Sequence, residues 1–383
     1  MGEQRTISQK FRNRYGSDAR TFRAPGRINL IGEHTDYNEG FVLPAAIDFH
    51  TWVAIAPRND RKLVLYSENF EEAVETSLDD HTTAKQHWSD YVRGVALKLE
   101  EAGHRLTGAN LLIRGNVPVG SGLSSSASLE VAVGTALLSA SNLSIDRADL
   151  ARVCQRAENE FVGARCGIMD QFISCHGKAD HALMLDCRSL EYAVLPLPQD
   201  VSLVACNTMV RHQVAGGEYN KRRAECEEGV HLLSRTLPGI TALRDVCPEQ
   251  LQHHAHEFPD LIYRRCRHIV TENDRVTQAA SSLKTENFSK FGQLMAESHR
   301  SLRDDFEVSC QELDWMVELA NQEDGVIGSR MTGGGFGGCT VNLVHSDKVE
   351  QFCNNVSEGY RDKTGQTPEI YVSRAAAGAQ EVQ

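Results

Sequence analysis

The feature that most constrains the fold is a glycine- and serine-rich loop that leads into an apolar, helix-like segment. Residues 120–126 read Gly-Ser-Gly-Leu-Ser-Ser-Ser, and apolar residues recur at helical spacing over residues 129–140. Pro118 and the two glycines predict a turn between a strand and this helix. The first N–H groups of a helix have no intrahelical partner, so the loop is either a phosphate cradle or a turn whose serines cap the helix. It is not a Walker A loop, because no Gly-Lys-Ser/Thr follows.

A second glycine cluster occupies residues 333–338, where five of six residues are glycine. Gly333, Gly335 and Gly338 formally satisfy the GxGxxG pattern, which in dinucleotide-binding folds follows a strand and opens a helix. Here the residues that follow, 339–344, have the side-chain types of a strand instead. We therefore reject the dinucleotide interpretation and predict a loop that leads into a strand and approaches another group closely with its backbone.

A polar set follows a short apolar centre near the start of the chain. After residues 28–31 come four hydrogen-bonding side chains, those of Glu33, His34, Asp36 and Tyr37. Such side chains suit the several hydroxyl groups of a sugar, and the alternative is a turn exposed to solvent. Arg27 stands just before the apolar centre, where an arginine is often a structural ion-pair partner.

A single acidic residue, Asp170, stands within the apolar sequence Gly-Ile-Met-Asp-Gln-Phe-Ile of residues 167–173. A carboxylate in apolar surroundings is costly unless it is paired or used in function. Glu158 precedes it by twelve residues, on the preceding predicted helix. Taken separately, neither carboxylate indicates a function.

Strand-like and helix-like segments follow one another without regular βαβ alternation, which favours an α+β fold over a doubly wound parallel sheet. The spacing predicts strands at 42–56, 62–66, 109–114, 182–186, 193–197, 201–207, 339–344 and 369–372. It predicts helices at 88–102, 129–140, 147–162, 219–237, 261–282, 287–299, 310–321 and 346–362. A proline-containing stretch near residue 198 separates two halves, and 383 residues suit two domains. We assign them to residues 1–200 and 201–383.

Composition excludes several classes of protein. Apolar residues make up 41% and charged residues 24% of the chain, as in globular proteins. The net charge of −12 argues against nucleic-acid binding, and no apolar run is long enough to span a membrane. Because residues 1–16 contain no apolar signal segment, we expect a cytoplasmic protein, and length and charge suit a monomer.

The cysteines and a histidine cluster give no sign of a metal site. The eleven cysteines contain no CxxC pair, so we expect mostly buried, reduced thiols rather than a zinc ribbon or a redox motif. His253, His254 and His256 lie in a polar stretch without HExxH spacing, which predicts an exposed surface segment.

Together these segments resemble the galactokinases of the GHMP small-molecule kinase superfamily. Residues 27–37 resemble the galactokinase signature, residues 117–128 the superfamily's phosphate-binding motif, and residues 332–340 its third, glycine-rich motif. The likeness extends to residues 167–172 and 218–223, and so runs from about residue 20 to the C-terminus. It implies a two-lobed α+β fold with the active site in the cleft between the lobes, approached by the glycine-rich loop from the second lobe.

The resemblance also implies a reaction, in which ATP phosphorylates the C1 hydroxyl of D-galactose to give α-D-galactose 1-phosphate and ADP in galactose catabolism. Asp170 takes the hydroxyl proton, and Arg27 keeps Asp170 ionised and stabilises the transferring phosphoryl group. Ser126 and Glu158 hold Mg²⁺. The residues that bind the sugar are Glu33, His34, Thr35, Asp36, Gly167 and Tyr219. The residues that bind ATP are Gly120, Ser121, Gly122, Leu123, Ser124, Ser125 and Ser126.

Two other functions stay open. One is a kinase of the same superfamily that acts on another sugar such as N-acetylgalactosamine, whose acetamido group needs a pocket at C2. The other is a regulator that binds galactose and ATP without turnover. The presence of Asp170, Arg27 and the full serine loop favours catalysis.

Overall fold

Three β-sheets organise the part of the chain that the computed structural model describes, which comprises residues 2–80, 82–211 and 215–382. The strands run β13-β1-β3-β6-β4-β5 in the first sheet, β10-β11-β9-β12 in the second and β2-β7-β8 in the third. Their bounds are β1 (Arg20–Asn29), β2 (Phe41–Val42), β3 (Pro44–Pro57), β4 (Lys62–Ser67), β5 (Glu72–Ser77), β6 (Ala109–Gly115), β7 (His181–Asp186), β8 (Tyr192–Pro196), β9 (Val201–Arg211), β10 (Val326–Met331), β11 (Gly337–His345), β12 (Glu369–Ser373) and β13 (Gln380–Val382). Among these described pairs only β4 and β6 run parallel, so the α+β class is confirmed.

Helices cover the sheets. They are α1 (Gly2–Tyr15), α2 (Ser89–Glu101), α3 (Ser125–Ala140), α4 (Arg147–Arg156), α5 (Met169–His176), α6 (Ala215–Leu233), α7 (Pro248–His253), α8 (Asp260–Lys284), α9 (Phe288–Asp304), α10 (Gln311–Ala320) and α11 (Val349–Thr364). A π-helical segment, Ala157–Val162, continues α4. No described helix combines the length and the apolar character that a bilayer span demands.

Helix α3 is apolar on nearly all sides because it is enclosed. It packs on β1 and β3 with one face and on α2, α4 and α5 with the others. Val131 and Leu137 of α3 belong to the same buried cluster as Val53 and Leu111 of the sheet. Burial of this kind is what an all-apolar helix requires, and it fixes the position of the N-terminal end of α3.

The two larger sheets share a core where β1 ends. Ile28 of β1, Val341 of β11 and Phe291 of α9 lie in one buried cluster. Asn29, the last residue of β1, pairs with Thr332, whose hydroxyl donates to the Asn29 carbonyl at 3.1 Å. The segments that follow β1 and precede β11 therefore meet between the sheets.

Every predicted strand and helix is present, with shifted ends, and the predicted strand 42–56 is divided between β2 and β3. Seven elements were missed: α1, α5, α7, β1, β5, β10 and β13. The predicted helix 147–162 changes to π-helical turns at Ala157. The predicted helix 219–237 starts earlier, at Ala215, and ends at Leu233. The domain boundary after residue 200 stays a prediction. Strand β13 pairs with β1, so residues 380–382 belong to the first sheet.

Candidate active site

The serine-rich loop ends at the N-terminus of α3, as the sequence predicts. Ser124 precedes α3 with a left-handed backbone (φ 61°), and among the described residues its hydroxyl caps no helical N–H group. That hydroxyl donates instead to Asp170 Oδ2 at 2.5 Å. The Ser121 hydroxyl donates to the Pro118 carbonyl at 2.8 Å. The capping alternative is therefore wrong for Ser124, and the first N–H groups of α3 face the loop without its cap.

An arginine–carboxylate pair joins this loop to α5. Arg27 Nε and Nη2 donate to Asp170 Oδ1 and Oδ2, both at 2.7 Å, while Nη1 donates to the Gly122 carbonyl at 2.5 Å. The Arg27 side chain is 7% exposed and that of Asp170 is 24% exposed. Although burial lowers it, the negative charges of Asp170 and Glu33 raise the pKa of Arg27 above its usual value. A permanent positive charge thus sits between the carboxylate and the loop.

A bulge and a glycine bring β1 this close to the loop. The register of β1 against β3 shifts between Pro25 and Arg27. A Cβ atom on Gly26 would lie 2.6 Å from the Leu123 carbonyl oxygen, so no larger residue fits. Bulges of this kind re-aim side chains beside active sites, and here the bulge directs Arg27 to Asp170.

The glycine-rich segment forms a loop between β10 and β11, which confirms that it leads into a strand. Glu33 Oε1 accepts hydrogen bonds from the Thr332 hydroxyl and the Gly333 N–H, both at 2.9 Å. Gly335 has φ +81°, and a Cβ there would lie 2.2 Å from the Val308 carbonyl oxygen. Close backbone approach is thus the reason for glycine, and Glu33 holds the loop against the polar segment after β1.

Aromatic rings surround His34. Its Nδ1 lies 2.9 Å from the Tyr37 hydroxyl, and its ring centroid lies 5.5 Å from that of Tyr219 and 4.8 Å from that of Phe306. Burial lowers the pKa of His34 to about 3, so the ring is neutral at physiological pH. A neutral imidazole and two phenols offer hydrogen bonds without charge.

Asp36 lies against the start of α5. A Cβ atom on Gly167 would lie 1.9 Å from Asp36 Oδ2, so only glycine permits this position. Burial, followed by the negative charge of Asp170, raises the pKa of Asp36 to about 7. Thr35 beside it is fully buried, and its hydroxyl shares its one hydrogen between the carbonyls of Gly32 and Phe41, at 2.8 and 2.6 Å. Thr35 therefore holds the segment in shape.

These side chains line one cavity of about 260 Å³. The predicted residues on its wall are Arg27, Glu33, His34, Asp36, Gly167, Asp170, Tyr219 and Gly333. Gly334, in the predicted glycine-rich loop, also lies on the wall, whereas sequence reasoning missed Cys166 and Met169 as lining residues. Cys166 directly precedes Gly167, and Met169 directly precedes Asp170. Their position next to these predicted site residues was the one sequence signal that they line the cavity.

Ser126 and Glu158 come together beside the cavity. Burial, followed by the charge of Asp170, raises the pKa of Glu158, and hydrogen bonding from Ser126, Cys166 and Gln171 opposes this rise. The described residues contain no group of three or more His, Cys, Asp or Glu side chains arranged for a metal ion. Mg²⁺ keeps waters and takes phosphate oxygens, so one hydroxyl and one carboxylate still fit it.

A buried carboxyl that was not predicted lies behind Glu158. Glu130 of α3 is fully buried, and burial followed by the charge of Glu158 raises its pKa well above the usual value. The amide of Gln171, next to Asp170, donates to Glu130 and to Glu158. Glu130 could have been found from the sequence in the same way as Asp170, because it is a single acidic residue within an apolar segment.

The other predicted candidates lie outside the cavity wall. His253 and His256 are exposed, and His254 pairs with Glu257 at 2.7 Å, which confirms a surface segment. Each of the eleven cysteines is a free thiol in the described part of the chain.

The shifted pKa of Asp36 predicts a pH-dependent stability. Since this pKa is about 7 in the folded protein and 3.8 in the reference state, the folded chain retains a proton that the unfolded chain releases. The contribution of Asp36 to stability is therefore full below about pH 4 and is lost as the pH rises to about 7. We expect Asp36→Asn to raise the melting temperature by several degrees at pH 8 but not near pH 4, as measured by calorimetry.

Asp48→Asn is the control for this prediction, because the Asp48 side chain is 74% exposed. The melting temperature of Asp48→Asn is expected to differ from that of the unmodified protein by the same amount at every pH. If the melting-temperature difference of Asp36→Asn is also independent of pH, the proposed cost of ionising Asp36 is contradicted.

Comparisons with family models and known proteins match nearly the whole chain. Family models match in three places: the galactokinase galactose-binding signature at residues 9–57, the GHMP kinases N-terminal domain at 90–178 and the GHMP kinases C-terminal domain at 279–362. A galactokinase of Roseiflexus sp. (strain RS-1) is 48% identical over 373 residues, which cover 97% of this chain and 95% of that protein.

Solved structures show the same likeness. Lactococcus lactis galactokinase complexed with galactose superposes with a TM-score of 0.96 at 38% identity, over 99% of this chain and 100% of that one. Methanococcus jannaschii mevalonate kinase superposes with a TM-score of 0.66 at 16% identity, over 94% and 99% of the two chains. At that identity the second likeness concerns the fold alone.

Proposed function

The chain belongs to the galactokinase family of the GHMP kinases and is a galactokinase that uses ATP, and on that premise we propose how its residues carry out the transfer. The observation that carries the proposal is the contact of Asp170 with Arg27 and Ser124, in which Asp170 and Arg27 line the 260 Å³ cavity. This contact joins a carboxylate, a fixed positive charge and the serine loop at one point.

Galactose occupies the cavity with its C1 hydroxyl at Asp170. The ring hydroxyls bind to Glu33, His34, Asp36, Gly167 and Tyr219, all of which line the cavity. Thr35 contributes by holding this segment, because its hydroxyl is engaged with two backbone carbonyls. Several donors and acceptors on the wall of one cavity are what a sugar with many hydroxyls requires.

Asp170 accepts the proton of the C1 hydroxyl at Oδ1. Among the described residues, Oδ2 accepts from Arg27 Nη2 and Ser124 Oγ, whereas Oδ1 accepts from Arg27 Nε alone. Oδ1 therefore has the freer lone pair. Phosphoryl transfer depends chiefly on positioning and electrostatics, and Arg27 provides both by orienting Asp170 and opposing the negative charge of the phosphates.

The serine loop, residues 120–126, binds the ATP phosphates at the uncapped N-terminus of α3, where N–H groups and the helix dipole favour negative charge. Ser126 and Glu158 hold Mg²⁺ through their side-chain oxygens. When bound, Mg²⁺ supplies charge neutralisation at the phosphates.

Ser126→Ala tests the metal assignment. We expect the Mg²⁺ concentration for half-maximal rate to rise about tenfold, because one of the two protein ligands is lost. The measurement is initial rate against Mg²⁺ at saturating ATP and galactose. Ser139→Ala, in the last turn of the same helix, is the control and should leave this concentration unchanged. If this Mg²⁺ concentration is unchanged in Ser126→Ala, Ser126 is not a ligand of the metal ion.

We further propose a monomer of two lobes, residues 1–200 and 201–383, with β13 returning to the first lobe, that works in the cytoplasm. The eleven free thiols suit a reducing compartment. A net charge of −12 favours separate molecules.

The function is tested by ADP release with ATP and Mg²⁺, with galactose, glucose and N-acetylgalactosamine in parallel. We expect turnover on galactose and much less on the other two. Turnover mainly on N-acetylgalactosamine would assign a different sugar, and galactose binding without ADP release would indicate a regulator.

A further inference from the structure

Gln171 and the buried Glu130 have no direct part in the phosphoryl transfer proposed for this chain. We propose that Gln171, held by Glu130, is a positioning residue that sets the orientation of the Glu158 carboxylate toward the metal ion. The inference rests on the proposed Mg²⁺ site. It assigns a role to two residues that touch neither substrate nor metal.

The amide of Gln171 bridges two carboxyl groups. Its Nε2 donates one hydrogen bond to Glu158 Oε2 at 2.6 Å and one to Glu130 Oε2 at 3.0 Å. An amide nitrogen has two hydrogens, so both are engaged. Gln171 is fully buried, which leaves water no access to compete for these bonds.

The bridge also links the two proposed functional carboxylates. Gln171 follows Asp170 directly in the first turn of α5, and Asp170 is fixed by Arg27. A rotation of α5 would therefore move the Glu158 contact and the Asp170 contact together. This coupling holds the metal ligand and the proposed base at a constant separation.

Packing alone does not account for Glu130. It occupies an apolar helix, between Leu129 and Val131, where a leucine would avoid the cost of burying a carboxyl. Its hydrogen bond from Gln171 engages Oε2, while Oε1 has no partner among the described residues. The hydrogen bond from the Gln171 amide is therefore the contact that explains why a carboxyl group is buried here.

Glu158 needs such an orienting partner. It lies in the π-helical segment that continues α4, and such segments are frequent at functional sites. Its other donors are Ser126, which is itself a proposed ligand, and Cys166, a weak donor at 3.5 Å. Loss of an outer partner of a metal ligand typically weakens metal affinity 10–100-fold.

The experiment compares Gln171→Leu and Glu130→Leu with Glu130→Gln, which keeps the shape and one acceptor oxygen. Ser174→Ala is the matched control, because Ser174 is buried on the same helix and donates to the Pro25 carbonyl at 2.8 Å. Mn²⁺ is titrated into each protein with ADP present and free Mn²⁺ is followed by EPR, and melting temperature is recorded alongside.

We expect Mn²⁺ affinity to fall 10–100-fold in both leucine variants and less than threefold in Glu130→Gln. Ser174→Ala should lower the melting temperature without changing Mn²⁺ affinity. Glu158→Gln, which alters the proposed metal ligand itself, is measured in the same way. Unchanged Mn²⁺ affinity in the leucine variants, together with weaker Mn²⁺ binding in Glu158→Gln, would overturn the positioning role and leave the metal site intact. Unchanged affinity in Glu158→Gln would overturn the metal site itself. If Gln171→Leu does not fold, Gln171→Met replaces it in the same comparison.

Discussion

Replacing Asp170 by asparagine is expected to lower kcat about 10³-fold, because the side chain loses the carboxylate that we propose as the acceptor of the C1 proton. The asparagine also faces two Arg27 donors with only one acceptor oxygen. The KM for galactose is expected to change little, since the hydroxyl contacts at Glu33, His34 and Tyr219 remain. A coupled ADP assay over a range of galactose concentrations measures both constants.

This variant should remain folded but less stable. Arg27 is 7% exposed and loses its negative partner, which costs about 2 kcal/mol when one hydrogen bond remains. The control is Asp186→Asn, since Asp186 pairs with Arg244 at 3.0 Å and the two side chains are 22% and 21% exposed. It should lose stability but keep its turnover. A kcat near the unmodified value in Asp170→Asn would remove Asp170 from catalysis.

Replacing Arg27 by lysine is expected to lower kcat about 10²-fold and to raise the KM for ATP. The guanidinium makes three hydrogen bonds at once, two to Asp170 and one to the Gly122 carbonyl. A lysine ammonium keeps the charge but lacks the planar fork, so it cannot orient the carboxylate and anchor the loop together. Steady-state kinetics with each substrate varied in turn separates the two effects.

Arg244→Lys is the matched control for Arg27→Lys, because it makes the same change in a partly buried arginine–aspartate pair outside the cavity wall. It should leave both constants unchanged. The combined Asp170→Asn/Arg27→Lys variant should lose much less than the product of the single losses, since the two residues act as a unit. A fully multiplicative loss would mean that Arg27 acts independently of Asp170.

The glycine- and serine-rich loops could be predicted because their signals are local. Turn residues, an apolar run and a following strand pattern all lie within a few residues of each loop. Asp170 could be predicted to be paired or used, and Arg27 to be an ion-pair partner. The residues alone could not pair them with each other, because 143 positions separate them and only the fold brings them together.

What the sequence did not reveal depends on tertiary contacts. The bulge between Pro25 and Arg27 exists only relative to β3. The proposed role of Glu130 and Gln171 depends on the hydrogen bond between them, which forms only because α3 packs against α5. Helix α1 was missed because two apolar side chains, Ile7 and Phe11, anchor it to the sheet, which gives a weak helical pattern.

Glu33 fastens the glycine-rich loop of the second half to the polar segment of the first. The proposed sugar side of the cavity is therefore held together by hydrogen bonds within the chain itself. Galactose meets donors and acceptors whose freedom was lost when the chain folded, so its binding need not order them again. In thermodynamic terms, we expect the conformational entropy of these groups to be lost mainly on folding, so that sugar selectivity follows from an arrangement fixed before galactose binds.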